Sequence, residues 1–341
     1  MRAKVKIKSV KQDAIPPFTF HREFKKRFRT LFGGRIVYHY TSTEVLHEFA
    51  REEACLYATH CCALNDDLEF ETGVRYVLQK YLPDNQKKLY SVLKDEMPEV
   101  IKALSDQDEK FEGKCTADKY LYSPWVMSFS REKDSLNQWI AYTSRKHGGV
   151  SVGFDFKKLE RAVENEVTVR RAKQGIDIDS LSYELHFLPC FYIDEQDKKR
   201  MRDIKRFLDF LFIDYMHYQL SNIKWRRGDK RRFKAILMII YANLFGAIAK
   251  NASFKSENEF RLVMIVKEPR YLQNVMIIGG KPRLPIPLFA NLKGKIRDMI
   301  SEIVVSPHGD QELIRANVDF VGLKYSLNFN LYKSSSPYNG R

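Results

Sequence analysis

Cysteine is scarce in this chain of 341 residues, and the five present (Cys55, Cys61, Cys62, Cys115 and Cys190) are odd in number and lack the spacing of a disulfide framework. A small stapled secreted scaffold is therefore excluded, and a reducing, cytoplasmic location is expected. No apolar run reaches the roughly 20 residues needed to span a bilayer. The longest, Ala235 to Ala249, is interrupted by Asn243 and preceded by seven basic residues in eleven positions, so it reads as a buried helix and no membrane partner is expected. Residues 1 to 12 lack the apolar core of a secretory signal. No internal repeat, low-complexity tract or Pro/Gly/Ser-rich linker divides the chain, which favours one domain carrying an insertion. No strand leads into a Gly-rich phosphate loop, which argues against a dinucleotide-binding parallel sheet. Acidic residues are the minority, 43 against 58 Lys and Arg, and the net charge of +15 attracts polyanions, nucleic acid first among them.

Hydrophobic residues at 44% and aromatics at 13% are those of a globular protein. Alternation predicts strands over Gly149–Phe156 and Leu323–Leu331, and apolar clusters predict others over Arg35–Tyr40, Trp125–Phe129, Leu188–Ile193, Phe260–Val266, Val275–Ile278 and Glu302–Val305. Between them, Ile204, Phe207, Leu208, Leu211, Phe212, Tyr215 and Met216 recur at the helical period, predicting an amphipathic helix over Lys198–Leu220 with a mainly basic outer face. The expected class is α+β, a mixed and mainly antiparallel sheet with peripheral helices. Residues 1–30 read as a basic extension, and 31–341 as one domain with a helical basic insertion at about 195–250.

Several short segments carry candidate chemistry, each beside a structural alternative. Tyr38-His39-Tyr40-Thr41-Ser42 ends a strand; His39 and Thr41 suit sugar hydroxyls, or else His39 is core and Thr41, Ser42 or Thr43 caps the next helix. Asn65-Asp66-Asp67-Leu68-Glu69 either gathers carboxylates for a hard cation or starts a helix near Phe70–Tyr81. His60-Cys61-Cys62 suggests zinc only superficially, because three consecutive residues do not readily enclose a tetrahedral ion and no second ligand pair follows. Ser128 and Ser130 share one face of a strand end, followed by Asp134, Gln138, Trp139 and Tyr142 at helical spacing; the two aromatics either stack on a flat heterocycle or are core. Glu257 and Glu259 flank Asn258 at a strand start, placed to act on one substrate or else solvated.

In order, a His strand, a Ser-x-Ser strand and a Glu-x-Glu strand resemble the three-part signature of the ADP-ribosyltransferase superfamily. The chain also resembles a widespread microbial family of formerly unknown function with a Tyr-His-Tyr-Thr-like opening. That family shows an Asn-Asp-x-x-Glu segment, a Trp-x-x-Tyr helix before a Gly-x-x-x-Gly-Phe-Asp strand, a Glu-x-Glu-x-Arg strand and a C-terminal Ser-x-x-Pro-Tyr. Their matches here are Asn65 to Glu69, Trp139 to Tyr142, Gly149 to Asp155, Glu257 to Arg261 and Ser334 to Tyr338.

The resemblance implies an ADP-ribosyltransferase-like split sheet and NAD as co-substrate, with no metal. It implies that Glu259 stabilises the ribose cation, that Glu257 orients or deprotonates the acceptor, and that Ser128, with Ser130 behind it, shapes the nicotinamide pocket. His39, Tyr40 and Thr41 would hold the rest of the dinucleotide, and Trp139 or Tyr142 would stack on a ring. The basic run Lys224, Trp225, Arg226, Arg227, Lys230, Arg231 and Arg232, with its interleaved aromatic, suits RNA or single-stranded DNA as acceptor, the alternative being a solvated basic face. The function so implied is a toxin or antiviral defence transferase, with an acidic antitoxin as partner. The competing readings are a protein-modifying transferase, an NAD glycohydrolase, a nucleic-acid-binding protein and a metal-dependent nuclease using Asp66, Asp67 and Glu69.

Overall fold

The computed structural model describes residues 20–28, 31, 34–64, 69–105, 122–144, 146–174, 183–221, 229–286 and 296–337. Among the described residues twelve strands occur in this order: β1 (Ile36–Thr41), β2 (Leu56–His60), β3 (Pro124–Ser130), β4 (Val150–Asp155), β5 (Tyr183–Pro189), β6 (Phe191–Ile193), β7 (Ala249–Asn251), β8 (Glu259–Val266), β9 (Met276–Ile278), β10 (Lys281–Ile286), β11 (Ile300–Val305) and β12 (Asn330–Lys333). Ten of them form one sheet that is antiparallel except between β11 and β12, while β6 and β7 form a separate parallel pair. The fold is α+β with a mainly antiparallel open sheet.

Every residue of β8 is buried, which is why its sequence runs unbroken and apolar from Leu262 to Val266. Phe260, Leu262, Met264 and Val266 face one core, and Val263 and Ile265 face the other. A strand covered on both faces shows no polar alternation. The first core lies under the helices Thr43–Ala50, Phe156–Gln174 and Gln311–Tyr325. The second lies under Phe20–Arg27, Glu69–Arg75, Lys198–Asp209 and Asp229–Gly246. Glu259 and Arg261, four and two residues before Val263, lie on the face of β8 that meets this second, helical layer.

The edge of β3 decides where a ligand can enter. One edge pairs along its whole length with β8, from Pro124 opposite Ile265 to Ser130 opposite Glu259. The other edge is divided. β2 meets it only at Trp125 and Val126, and β1 only at Ser130. Two wings diverge from there, β1–β4–β11–β12 on one side and β2–β10–β9 on the other, leaving the middle of this second edge of β3 without a strand partner among the described residues.

Two expectations change. Leu323–Leu331 is not a strand: the helix Gln311–Tyr325 runs into it, capped by the Asp310 side chain at its start and by Ser326 in the left-handed region at its end. Ile314, Val318 and Val321 supply its inward stripe, so the alternation beyond Leu323 spans a helix end, a turn and the short β12. The run Leu188–Ile193 is likewise broken. The Cys190 N–H donates to the Glu259 carbonyl and the Phe191 N–H to Ile248, so the chain leaves the large sheet for the small one at Cys190. The basic extension also contributes to the core: Phe20 and Phe24 of the helix Phe20–Arg27 are buried against Phe207 and Phe210. Residues 1–19 of that expected extension lie outside the described residues.

The helix predicted over Lys198–Leu220 is present, widened to a π-turn at Phe210–Tyr215, and the apolar run Ala235–Ala249 forms the buried part of Asp229–Gly246 and the start of β7. Among the described residues no helix is long and apolar enough to cross a membrane. Where the helices Glu69–Arg75 and Asp229–Gly246 cross, two glycines touch: a Cβ at Gly73 would stand 2.7 Å from the Gly246 Cα, and one at Gly246 would stand 2.6 Å from a Val74 methyl. This close approach brings Glu69 beside β7. Gly246→Ala should therefore separate the helices and lower stability by about 1–3 kcal/mol, read as a fall in the urea midpoint; an unchanged midpoint would remove the crossing from the argument.

Candidate functional site

The divided edge of β3 opens into a cleft of about 1030 Å³. With no strand along the middle of β3, the Ser128 carbonyl would lack a ladder partner, and the His39 ring fills that place, Nδ1 to oxygen 2.9 Å. A carbonyl only accepts, so Nδ1 carries the proton. The ring lies between Phe49 and Phe129, its centroid 5.8 Å from each. Burial, assisted by the charge of Arg283 and only partly opposed by the Ser128 carbonyl, lowers the His39 pKa to about 4. His39 is therefore neutral at physiological pH, with Nε2 an acceptor.

A stability consequence follows from the same shift. The unfolded His39 takes up its proton near pH 6.5 and the folded one only near 4, so its contribution is complete above 6.5 and is lost as pH falls towards 4. His39→Asn should make acidification from pH 7 to 4.5 less damaging by about 1–3 kcal/mol, as urea unfolding at the two pH values would show. Identical losses in parent and variant would contradict it.

Cross-strand register puts several of the other expected residues on one face. Ser130 stands opposite Glu259 and Ser128 opposite Arg261, with Tyr38 of β1 on the far side of Ser130. Ser128, His39, Tyr40, Thr41 and Tyr142 all line the cleft. Ser130 does not: it is buried, donates to the Glu257 carbonyl at 2.7 Å and accepts from the Glu132 N–H at 3.0 Å. Its hydroxyl holds the backbone that carries Glu257. Tyr40 donates to the Glu132 carbonyl at 2.6 Å and accepts from the Ser135 N–H, fixing the loop after β3. Trp139 is fully buried, its indole edge-on to Tyr40 and its N–H on Asp134 at 2.7 Å. It therefore has no face to offer a ligand, which leaves Tyr142, one turn on and 37% exposed, as the ring of the pair that faces the cleft. Asp134 also binds Ser334 and Ser335, tying the C-terminal segment to this loop; Tyr338 lies outside the described residues.

The acidic pair is arranged differently from two neighbours on a strand. Glu257 ends the 3-10 turn Ala252–Glu257, Asn258 adopts the left-handed region (φ 45°), and only Glu259 enters β8. Asn is among the few residues that take this conformation readily. The carboxylates nevertheless converge, because Lys250 of β7 bonds both, Glu259 at 2.6 Å and Glu257 closer still. Arg261 grips Glu259 through Nε at 2.8 Å, reaches Glu69 and donates to the Ala247 carbonyl at 2.7 Å. Glu69 also lies 3.7 Å from Lys250. Three carboxylates thus enclose two cations, and all but Glu259 line the cleft.

Their protonation behaviour diverges. Burial alone would raise the Glu259 carboxyl, but Arg261 and then Lys250 overcome it and hold the group at about 2. At Glu257 burial prevails over Lys250, and the carboxyl is raised. Burial disfavours the Lys250 charge too, yet Glu259 and Glu69 outweigh it and keep the ammonium protonated. One locked carboxylate and one that takes a proton more readily are the division of roles that acid–base chemistry uses.

Lys250 had no assignment from the sequence, and Glu69 had one only as a metal-binding carboxylate of the nuclease reading or as part of a helix start. A single lysine closing the longest apolar run was the available sign for Lys250. Asn65, Asp66, Asp67 and Leu68 lie outside the described residues, as do Lys224, Trp225, Arg226 and Arg227. Lys230, Arg231 and Arg232 are exposed at the start of the helix Asp229–Gly246, Arg231 pairing with Asp95 at 2.8 Å and with Glu96 at 3.5 Å. At 1.5 Å per residue that helix sets the basic turn roughly 25 Å from its cleft end. His60, Cys61 and Cys62, by contrast, are closer together than their sequence suggested: a 3-10 turn brings one donor atom of each within 4.8 Å of the others. Among the described residues that group has three donors, one short of a tetrahedral set.

The stretch that encloses most of this cluster also has a counterpart among known families. A DUF2971 domain, described as a protein of unknown function, spans residues 138–262. The DUF2971 match includes Tyr142, Lys250, Glu257, Glu259 and Arg261 but not His39, Glu69 or Ser128, so the cleft is completed by elements on its N-terminal side. No curated protein and no solved structure matches the chain.

Proposed function

We propose that the chain is an NAD-dependent ADP-ribosyltransferase whose catalytic site is the cleft at the divided edge of β3. The observation that carries this reading is the juxtaposition, in one cleft, of a neutral His39, the Ser128 strand and a readily protonated Glu257 backed by a locked Glu259. The divided edge also supports reading the sheet as an ADP-ribosyltransferase-like split sheet. In the reaction the bond between ribose C1′ and the nicotinamide nitrogen breaks, nicotinamide leaves with the electron pair, and the acceptor forms a new bond to C1′ while giving up a proton. The passing cation resembles that of glycoside cleavage. The cluster of three carboxylates and two cations presents net negative charge to it, stabilisation of the kind that acts on charge developing in the transition state.

Glu257, which faces the cleft, takes the acceptor proton. Glu259 acts as a positioning residue that fixes Lys250 and Arg261, a role different from direct contact with the ribose. Tyr142 offers a ring to the nicotinamide. The acceptor is nucleic acid, RNA first, which the net charge of +15 and the exposed Lys230, Arg231 and Arg232 support. Because that basic turn lies roughly 25 Å from the cleft, an extended polymer bridges the two more readily than a small acceptor. A toxin or antiviral role follows from modification of nucleic acid, and an acidic antitoxin matches the surface charge.

Incubation with labelled NAD and separate RNA, single-stranded DNA and protein pools tests this directly. Label in RNA is expected. Label in protein alone would replace the acceptor, nicotinamide release without labelled acceptor would make the chain an NAD glycohydrolase, and NAD left intact in every pool would refute the reading.

A further inference from the structure

The wall of the cleft opposite the acidic cluster has a chemistry of its own. Arg283 of β10 stands opposite Thr59 of β2, and through Val126 of β3 the row continues to Val263 of β8. Residues paired across strands share a face, so Arg283 points to the same side of the sheet as Arg261 and Glu259. Lys281, two residues before it on the same strand, shares that side. Three strand spacings, roughly 14 Å, separate the backbone of Arg283 from β8, and both its side chain and that of Lys281 line the cavity between.

Arg283, half-buried, differs from the two buried cations of this cleft. Lys250 and Arg261 are saturated with carboxylates, whereas among the described residues no carboxylate pairs with Arg283, and its Nε is buried without a hydrogen-bond partner. The acids that line the cleft are engaged elsewhere: Glu48 with Arg51, Glu69 with Arg261, Glu257 with Lys250. A guanidinium partly withdrawn from water with no anion beside it is held at a cost, and here burial lowers its pKa. The cleft is therefore polarised, with negative charge around Glu257 at one end and an unneutralised fork of N–H donors at the other.

We propose that Arg283, with Lys281 beside it, seats a diphosphate. The proposal rests on the dinucleotide reading of the cleft and extends it, since NAD carries a cationic nicotinamide at one end and a dianionic diphosphate in its middle, the polarity complementary to these walls. Arginine suits the task because its planar fork donates two parallel bonds to phosphate oxygens.

Isothermal titration of the full chain with ADP, inorganic diphosphate, adenosine and a short single-stranded oligonucleotide tests the seat. ADP and diphosphate should bind the parent, and Arg283→Gln should weaken both by about 10- to 100-fold while adenosine changes less than about twofold. Arg283→Lys, which keeps the charge and loses the fork, should fall between and serves if the Gln variant does not fold. The seat is overturned if ADP and diphosphate do not bind the parent, if the variants bind them as the parent does, or if only oligonucleotide affinity falls. Nicotinamide release from NAD, followed on the same samples, separates the two claims. Lost ADP binding without turnover in the parent keeps the seat and refutes the transferase; turnover with ADP affinity and KM for NAD unchanged in Arg283→Gln does the reverse.

Discussion

Replacing Glu259 by Gln should cost the fold about 3–5 kcal/mol, the largest single effect on stability expected here. The carboxylate accepts from Lys250 at 2.6 Å and from Arg261 at 2.8 Å, is almost wholly buried, and has both cations committed to it. An amide of the same size removes the charge but leaves Lys250 and Arg261 in place, sharing Glu69 and Glu257. Removing one partner of a buried ionic cluster is far more damaging than never having built it. Size conservation therefore does not protect this position, and lost activity in Glu259→Gln would report lost structure as much as lost chemistry. Urea unfolding at pH 7 measures the cost, and a midpoint within error of the parent would refute the network. Acid supplies an independent reading. The folded pKa of about 2 lies below the ordinary value of 4.5, so the stability is present above 4.5 and drains away as pH falls towards 2. In the Gln variant that acid slope should be shallower.

Glu257→Gln should behave in the opposite way, with nicotinamide release or transfer falling by about 10²–10⁴-fold while the urea midpoint changes little. Glu257 lines the cleft, is held by one strong contact from Lys250, and sits in a turn rather than in the sheet. Its backbone is fixed independently, through the Ser130 hydroxyl on its carbonyl, so loss of the side-chain charge need not move the chain. A variant with full activity would return the proton-transfer role to another carboxylate, and one that unfolds would make Glu257 structural. The comparison of the two Glu→Gln variants is what divides chemistry from scaffolding, because each is expected to fail in a different assay.

Much of the architecture is legible without coordinates. β4, β3, β8 and β11 coincide closely with segments whose apolar residues alternate or cluster between turn residues, and the helix Lys198–Asp209 follows the 3.6-residue period of Ile204, Phe207 and Leu208. Both are local patterns that burial on one or two faces writes directly into neighbouring residues. Leu323–Leu331 misleads for a related reason: a helix end, a turn and a four-residue strand place apolar side chains at odd positions by coincidence, and only the inward stripe Ile314, Val318 and Val321 separates the possibilities.

The site divides along the same line. Residue types and order alone single out His39, Ser128, Glu257 and Glu259, and the charge balance alone points to a polyanion. What tertiary structure decides is which of these atoms meet. Glu69, Lys250 and Arg261 come from a helix start, a three-residue strand and the sheet, as much as 192 positions apart, and their convergence depends on two glycines that let helices touch. The lack of a carboxylate partner for Arg283 among the described residues, the sealing of Ser130 and Trp139, and the access of Glu257 rather than Glu259 to the cleft likewise depend on distant groups. Local periodicity is set by neighbours in the chain and can be read from it. Ion pairing and access to a cleft are set by groups that only folding brings together, and the divided edge of β3 is where this chain brings them.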